Sequence, residues 1–469
     1  MNRRNFLWQS GGGLGGIALA HLLGQDGLLA GEGDSKKGLH HPAKAKRVIQ
    51  LFMSGAASQC DMFDYKPELI KRNGQKFDLG AGVQLFQSAP GNCLKSPWDW
   101  KAYGQSGKYM SDLVPHLASC VDEMCFFHSM VSKSNVHGPA TFMQNTGFVL
   151  PGYPSMGAWT TYGLGSLSND LPAFVVLPDS RGFAPNGPSN WSAGFLPAGC
   201  QGTMIRAASD NPIYDLFPPN EKGITKESEA DGLAMLNKLN RGHQDARKAD
   251  TQLEARIASY ELAARLQLSA PEVLDITKET EATKKLYGLD TKITEDFGRN
   301  CLIARRLLQR GVRFVQVWSG ADNGFPRRNW DAHEDVEKNH GDMGTSMDKP
   351  AAALIKDLKS LGMLEDTLIY WTSEFGRTPC CQGGKGRDHN PFTFTSWVAG
   401  GGFKGGMSYG ESDELSYKAA VNPIYCYDLH ATILYALGID HEKLTFRHNG
   451  IDRRLTDVHG HVIQDVLVK

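Results

Sequence analysis

The sequence predicts an α/β fold built on a mainly parallel sheet sandwiched by helices. Strand-length apolar runs alternate with helical patterns along the chain, as expected of a sheet covered on both faces. Glycine is abundant, 52 of 469 residues, and many glycines fall in loops directly after the apolar runs. Those loops also carry acids and histidines, and the carboxyl ends of strands are where open α/β sheets bind ligands.

The chain begins with a segment that reads as a removable signal. Arg3 and Arg4 precede a weakly apolar, glycine-rich run from Gly11 to Leu23, with small residues near Ala30. That run is too short and too glycine-rich for a stable membrane span. Paired arginines before it resemble a twin-arginine export signal over residues 1–30. A polar linker (31–46) follows, and no later apolar run is long enough to span, so the mature chain is expected to carry no integral membrane segment and to be exported, periplasmic or extracellular.

The first strand is Arg47–Met53, running into a small-residue loop that carries Asp61 and Asp64. A second strand, Met124–Met130, leads to a segment that opens a helix with Asn135 and His137 at its start, where free N–H groups and the helix dipole favour anions. Ala173–Pro178 is a third strand. Residues 220–310 are charged, poor in glycine and helical in composition, with Leu253, Ile257, Tyr260, Ala264 and Leu268 on one stripe. They read as a helical insertion or cap, because heptads are not sustained. The strand Arg313–Trp318 leads through Asp322 and Asn323 to Trp330-Asp331-Ala332-His333. A helix is expected over Pro350–Leu361, with proline in its first turn and Gly362 as its cap. The strand Thr367–Thr372 breaks into Ser373-Glu374-Phe375-Gly376-Arg377, then a glycine-rich loop closing on Arg387-Asp388-His389-Asn390. Thr395–Ala399 is a last strand, and Asp428–Leu437 a last helix, stopped by Gly438.

Bulk properties exclude some functions. The length suits one large α/β domain or two ordinary ones. A formal net charge of -1 gives no global field to recruit nucleic acid or anionic lipid. Nine cysteines lack metal-type spacing. Their odd number leaves at least one without an intramolecular partner, vicinal Cys380 and Cys381 are poorly placed to bond each other, and no connectivity follows from sequence.

Taken singly, the chemistry-bearing residues have ordinary structural explanations. Asp61 or Asp64 suits a cap or turn, Asp331-x-His333 suits a turn, and Glu374 suits an ion pair with Arg377. Together they say more: three strand ends each deliver a carboxylate, and two also deliver a histidine. Oxygen and nitrogen donors of this kind suit zinc, manganese or a similar ion.

The runs LFMSGAASQCDMFDYKPEL, NVHGPATFMQNTG, NWDAHED, TSEFGRTP with GRDHNP, and RLTDVHGHVIQDVL resemble the DUF1501 family of exported proteins, within the alkaline phosphatase/sulfatase-like superfamily. The resemblance covers nearly the whole mature chain, about 47–469. It implies a large α/β domain with metals at the carboxyl ends of the sheet. In sulfatases the nucleophile helix carries C/S-x-P-x-R followed by Thr-Gly. Here His137-Gly138-Pro139-Ala140-Thr141 runs on to Thr146-Gly147, so His137 stands where the formylglycine precursor would be and Thr141 replaces the arginine. The sulfatase Thr-Ser-Asp-Asn-Gly is matched by Thr372-Ser373-Glu374-Phe375-Gly376, with phenylalanine at a ligand position.

The resemblance implies an exported, metal-dependent hydrolase of phosphate or sulfate esters without the formylglycine mechanism. Asp61, Asp331, His333, Glu374 and His389 are the expected ligands of a divalent ion (zinc, calcium or manganese). Arg377 is expected to hold the anionic group and His137 to act as nucleophile or acid/base. The substrate would be a small-molecule or polysaccharide ester. The competing expectation is a non-catalytic binding or scaffold protein on the same fold. His459 and His461 near the C-terminus are expected to serve the fold.

Overall fold

A computed structural model describes residues 38–78, 85–86, 89–209, 212–213, 270–322 and 324–468, with isolated positions between 228 and 242. The expected signal segment and the start of its linker lie outside the described residues, as does nearly all of the expected helical segment up to residue 269.

The centre is a nine-stranded sheet. Its strands are β1 (Arg47–Met53), β2 (Met124–Val131), β3 (Phe174–Leu177), β4 (Thr203–Met204), β5 (Phe314–Ser319) and β6 (Thr367–Thr372). After a hairpin of β7 (Gly376–Gln382) and β8 (Gly386–Asn390), the sheet gains β9 (Phe394–Gly400), β10 (Met407–Tyr409) and β11 (Ile424–Tyr425). The spatial order is β10-β2-β9-β6-β1-β5-β3-β4, with β11 also on β2. Every pairing is parallel except those of β9, which runs antiparallel to both β2 and β6. The strands expected from sequence are all present, with ends shifted by a residue or so.

Two apolar layers sandwich this sheet. On one face Ile49, Leu51 and Met53 pack with α3 (Lys292–Gln309) and α4 (Val336–Ser360). On the other, Val48 and Phe52 pack with α2 (Met156–Leu164) and α5 (Cys426–Ala436). Alternate residues of one strand thus feed opposite layers, as the pleat requires. The helix α1 (His137–Thr146) joins the second face through a buried polar contact. Gln50 and Gln316 lie opposite each other on β1 and β5. Gln316 Nε2 donates to Gln50 Oε1 at 3.0 Å and to Asn145 Oδ1 of α1 at 2.6 Å.

Two local expectations are corrected. The helix expected to begin at Pro350 begins at Val336, with Asp335 as its side-chain cap on Lys338, and it passes through Pro350. Burial of Met343, Met347 and Leu354 along one side outweighs the one backbone bond that proline removes. The glycine-rich stretch after Glu374 was expected as a loop; it is the β7–β8 hairpin, with Gly383 and Gly384 at positive φ in its turn. Of the segment expected as a helical insertion, 292–309 is α3, packed on the sheet.

Candidate metal centre

The parallel strands β1, β2, β5 and β6 end on the same side of the sheet and send their loops to one place. Three histidines and one aspartate meet there. His137 opens α1 after β2, Asp331 and His333 follow β5, and His389 lies on β8 of the hairpin after β6. One donor atom from each lies within 4.8 Å of every other. His137, Asp331 and His389 are buried, and His333 is nearly so.

The imidazoles are all oriented the same way. His137 Nδ1 meets Glu374 Oε1 at 2.7 Å, His333 Nδ1 meets Gln382 Oε1 at 2.6 Å, and His389 Nδ1 meets the Asn135 carbonyl at 2.6 Å. Each partner offers an acceptor, so each Nδ1 carries the proton and each Nε2 keeps a lone pair. The three Nε2 atoms stand 3.3, 3.0 and 3.4 Å from one oxygen, Asp331 Oδ1. His333 Nε2 and His389 Nε2 face each other at 2.9 Å, and His137 Nε2 is buried without a hydrogen-bond partner. Lone pairs converging with a carboxylate are costly to bury unless a cation is shared. The donor set therefore fits a divalent ion, and histidine ligands bonded through the other ring nitrogen are the usual second layer of such a site.

Charges around the cluster follow from its burial. Asp331 is held far below the ordinary carboxylate range: burial opposes its charge, but Arg377 and the three histidines overcome that. Arg377 Nη2 donates to Asp331 Oδ1 at 2.5 Å and Arg327 Nη1 to Oδ2 at 2.6 Å. Burial likewise disfavours charge on His137, yet the carboxylates of Asp331 and Glu374 beside it raise its pKa. Glu374 is lowered against burial by the same contact with His137. His389 is pushed down to about 4, chiefly by burial. Phe86 stacks on its ring at 4.7 Å, and Phe375 packs on both His389 and His137, so the centre has a dry aromatic wall.

The expected residues divide into groups. Asp331, His333 and His389, all expected as ligands, lie together. His137, expected as nucleophile or acid/base, joins them as a fourth donor. Glu374, expected as a ligand, stands behind His137 and also accepts the Gly55 N–H at 2.8 Å. Asp61, also expected as a ligand, is turned away. Arg387 grips both its oxygens, at 2.8 and 2.9 Å, and both side chains are fully buried. Arg377, expected to hold a substrate anion, has its donors committed to Ala56 O, Arg387 O, Gly55 O and Asp331. His461 bonds Asp428 and His459 packs on Tyr427, both outside the cluster.

Sequence reasoning missed Gln382, Asn135 and Arg327 as supports of the centre, since a glutamine, a backbone carbonyl and one of several loop arginines give no spacing signal. It also missed two neighbouring cavities of about 330 and 620 Å³ at the carboxyl ends of β3 and β5, both bordered by Asp179, Ser180, Asp296 and Asn300. The hint was the polar run Asp179-Ser180-Arg181 straight after a strand. Ser319 lines the smaller cavity, and its hydroxyl accepts at 3.1 Å from the indole of Trp330, the residue before Asp331.

The family described as "Protein of unknown function (DUF1501)" matches residues 45–467. No curated protein matches the sequence. Solved structures similar to this chain include phosphonate monoester hydrolase SpPMH from Silicibacter pomeroyi, at 13% identity and TM-score 0.32, covering 69% of this chain and 68% of that one. PsFucS1 sulfatase from Pseudoalteromonas sp. is similar at 12% identity and TM-score 0.33, covering 87% and 74%. A TAB5 alkaline phosphatase mutant with bound Mg is similar at 10% identity and TM-score 0.35, covering 85% and 99%.

Proposed function

The chain belongs to the DUF1501 family, and we propose that it is a metal-dependent hydrolase of phosphate or sulfate esters. The observation that carries this reading is the convergence of three Nε2 lone pairs on Asp331 Oδ1, each fixed by an acceptor on the opposite ring nitrogen. Ester chemistry itself rests on the motif resemblance. His137, Asp331, His333 and His389 would hold one ion. Three imidazoles and a carboxylate favour zinc over calcium, which prefers an all-oxygen shell. A second ion is disfavoured because Arg387 already neutralises Asp61.

A bound divalent ion supplies Lewis-acid polarisation of an ester oxygen and of an attacking water. The chain's own residues orient and balance that centre. Glu374, Gln382 and the Asn135 carbonyl fix the imidazoles. Arg377 holds Asp331 in place from below. Arg327 is a cation beside the centre: it reaches Asp331 and Glu334 and lies 4.4 Å over the exposed Phe325 ring, so it would meet an anionic group only by releasing Glu334. We assign export to the arginine pair at residues 3 and 4. Among the described residues no helix is long and apolar enough to cross a membrane.

Burial of the donors behind Phe86 and Phe375 favours a second reading, a metal-stabilised binding protein without turnover. Elemental analysis of the purified full chain, with aryl phosphate and aryl sulfate assays, separates the two. The hydrolase reading expects one equivalent of metal, turnover of at least one ester, and loss of both in His333→Ala. Metal without turnover selects the binding reading, and a folded chain that takes up no metal rejects both.

A further inference from the structure

We propose that Cys93 and Cys380 form a cross-strand disulfide that ties the segment before Leu94 to strand β7. Their backbones are paired directly, in an isolated antiparallel bridge. The flanking bonds identify its type. Leu94 N–H donates to Pro379 O and Cys381 N–H to Asn92 O, both at 2.9 Å. The hydrogen bonds thus belong to the neighbours on either side, which makes Cys93 and Cys380 a non-hydrogen-bonded pair. Such pairs bring Cα atoms to about 4.5 Å with side chains on the same face, inside the Cα range of disulfides, about 4.4–6.8 Å. Both thiols are buried in one small apolar cluster with Leu69, Phe77, Leu415 and Tyr417.

Two competing thiols, Cys381 and Cys60, lie nearby. Cys381 lies on the opposite face of β7, as its neighbour in a strand must, and its Sγ crowds Gly91. Cys60 shares the cluster, but its Sγ faces the Arg377 carbonyl at 3.7 Å. No other cysteine pair among the described residues shares a backbone bridge. Burial pushes the Cys380 thiol up to about 11 and raises Cys93 as well. Thiolate is therefore scarce in the folded protein, and exchange with an oxidant is fastest while this segment is open. A disulfide-bearing oxidant such as oxidised glutathione balances the step. Each cysteine loses one proton and one electron, the S–S bond forms, and the oxidant leaves as two thiols.

The tether would bear on the metal centre indirectly. The Leu94 carbonyl accepts from Arg387 Nη2 at 3.0 Å, and Arg387 lies on the strand that carries His389. The bond would hold that hairpin edge against the domain.

The experiment refolds the full chain with oxidised glutathione, unfolds it without reductant, counts thiols and maps linked peptides. Of nine cysteines, seven thiols should titrate, with one link joining the Cys93 peptide to the peptide containing Cys380. Trypsin leaves Cys380 and Cys381 on one peptide, so Cys381→Ser must keep the link and Cys380→Ser must lose it. Dithiothreitol should lower the thermal midpoint of the oxidised wild type and leave Cys380→Ser unmoved. Nine titrating thiols in the folded, oxidised wild type, or a link through Cys60 or Cys381, overturns the proposal. Because the mapping is done on wild type, misfolding of a variant does not shield it.

Discussion

Asp331 has the most demands on it. It faces three imidazoles with one oxygen and satisfies two arginines, one of them fully buried. Asp331→Asn keeps the shape but leaves Arg377 without its counter-charge in a dry site. Breaking a buried pair in this way costs about 3–5 kcal/mol, and urea denaturation of the variant against wild type should show it. Glu374→Gln tests a different role. It retains an acceptor for His137 Nδ1 but withdraws the charge that makes that imidazole a better donor. Metal affinity should fall about 10- to 100-fold, measured by competition with a chromophoric chelator, while the thermal midpoint of the metal-free protein moves little. An unchanged affinity would mean that Glu374 does not act through His137. At this scale the sequence was partly legible. Histidines and acids after strands stood out, but whether an acid points at a cation or at an arginine depends on pairing. Asp61 and Asp331 look alike in one dimension, and Arg387 decides the difference.

Helices, strands and loops position the centre through a few close approaches. At Gly386 an added Cβ would lie 1.6 Å from the His333 carbonyl oxygen, because Arg387 N–H bonds Ala332 O at 2.9 Å and draws β8 onto the loop that carries Asp331 and His333. Gly386→Ala should force the two apart. The expected outcome is loss of bound metal by elemental analysis with the far-ultraviolet circular dichroism of the sheet retained. Retained stoichiometry would show that the loop yields without disturbing the donors. The Gln50–Gln316–Asn145 contact does similar work for α1 and His137. Replacing Gln316 with leucine leaves Gln50 Oε1 without its 3.0 Å donor and Asn145 Oδ1 with only the 3.4 Å bond from Gln50 Nε2, at a cost of about 1–3 kcal/mol for an unsatisfied buried polar group, readable as a lower urea midpoint. The glutamines were visible in sequence as polar breaks in two apolar strands, but their partner was not. The β7–β8 hairpin was misread as a loop because glycine density marks a turn without revealing that its flanks pair. The start of α4 differs from the expected one because proline, a common initiator, here lies within a helix that packing carries through it.

Over the whole molecule, alternating strands and helices were enough to read the sandwich, since a buried parallel sheet imposes apolar runs that any pairing order would need. The order β10-β2-β9-β6-β1-β5-β3-β4, with β9 reversed, was not legible, because strand direction is set by contacts between distant segments. Burying so much polar chemistry makes the fold sensitive to acid. Three histidines outside the cluster, His340 and His430 fully buried and His128 partly so, are held neutral, mainly by desolvation: His128 near 4, His340 near 3 and His430 near 4, against an ordinary value of 6.5. His340 Nε2 accepts the Ser58 N–H at 2.9 Å, so its protonation also removes a backbone bond. Below pH 6.5 the unfolded chain binds a proton at each site that the folded chain refuses. Their stabilisation is complete above 6.5 and is lost as pH falls toward 4 and then 3, on the order of 3 kcal/mol per histidine at the limit. Asp348 acts with the opposite sign. Burial raises it to about 7 from 3.8, so the folded state holds a proton that the unfolded state has released, and its contribution falls as pH rises through that window. One carboxyl opposes three imidazoles, so stability of the metal-free chain should decline from pH 6.5 to pH 4. Asp348→Asn removes the opposing slope and should make that decline steeper. Urea midpoints of the wild type and the variant across this range measure both slopes. A wild-type stability that rises on acidification would mean that these histidines are already hydrated in the folded protein.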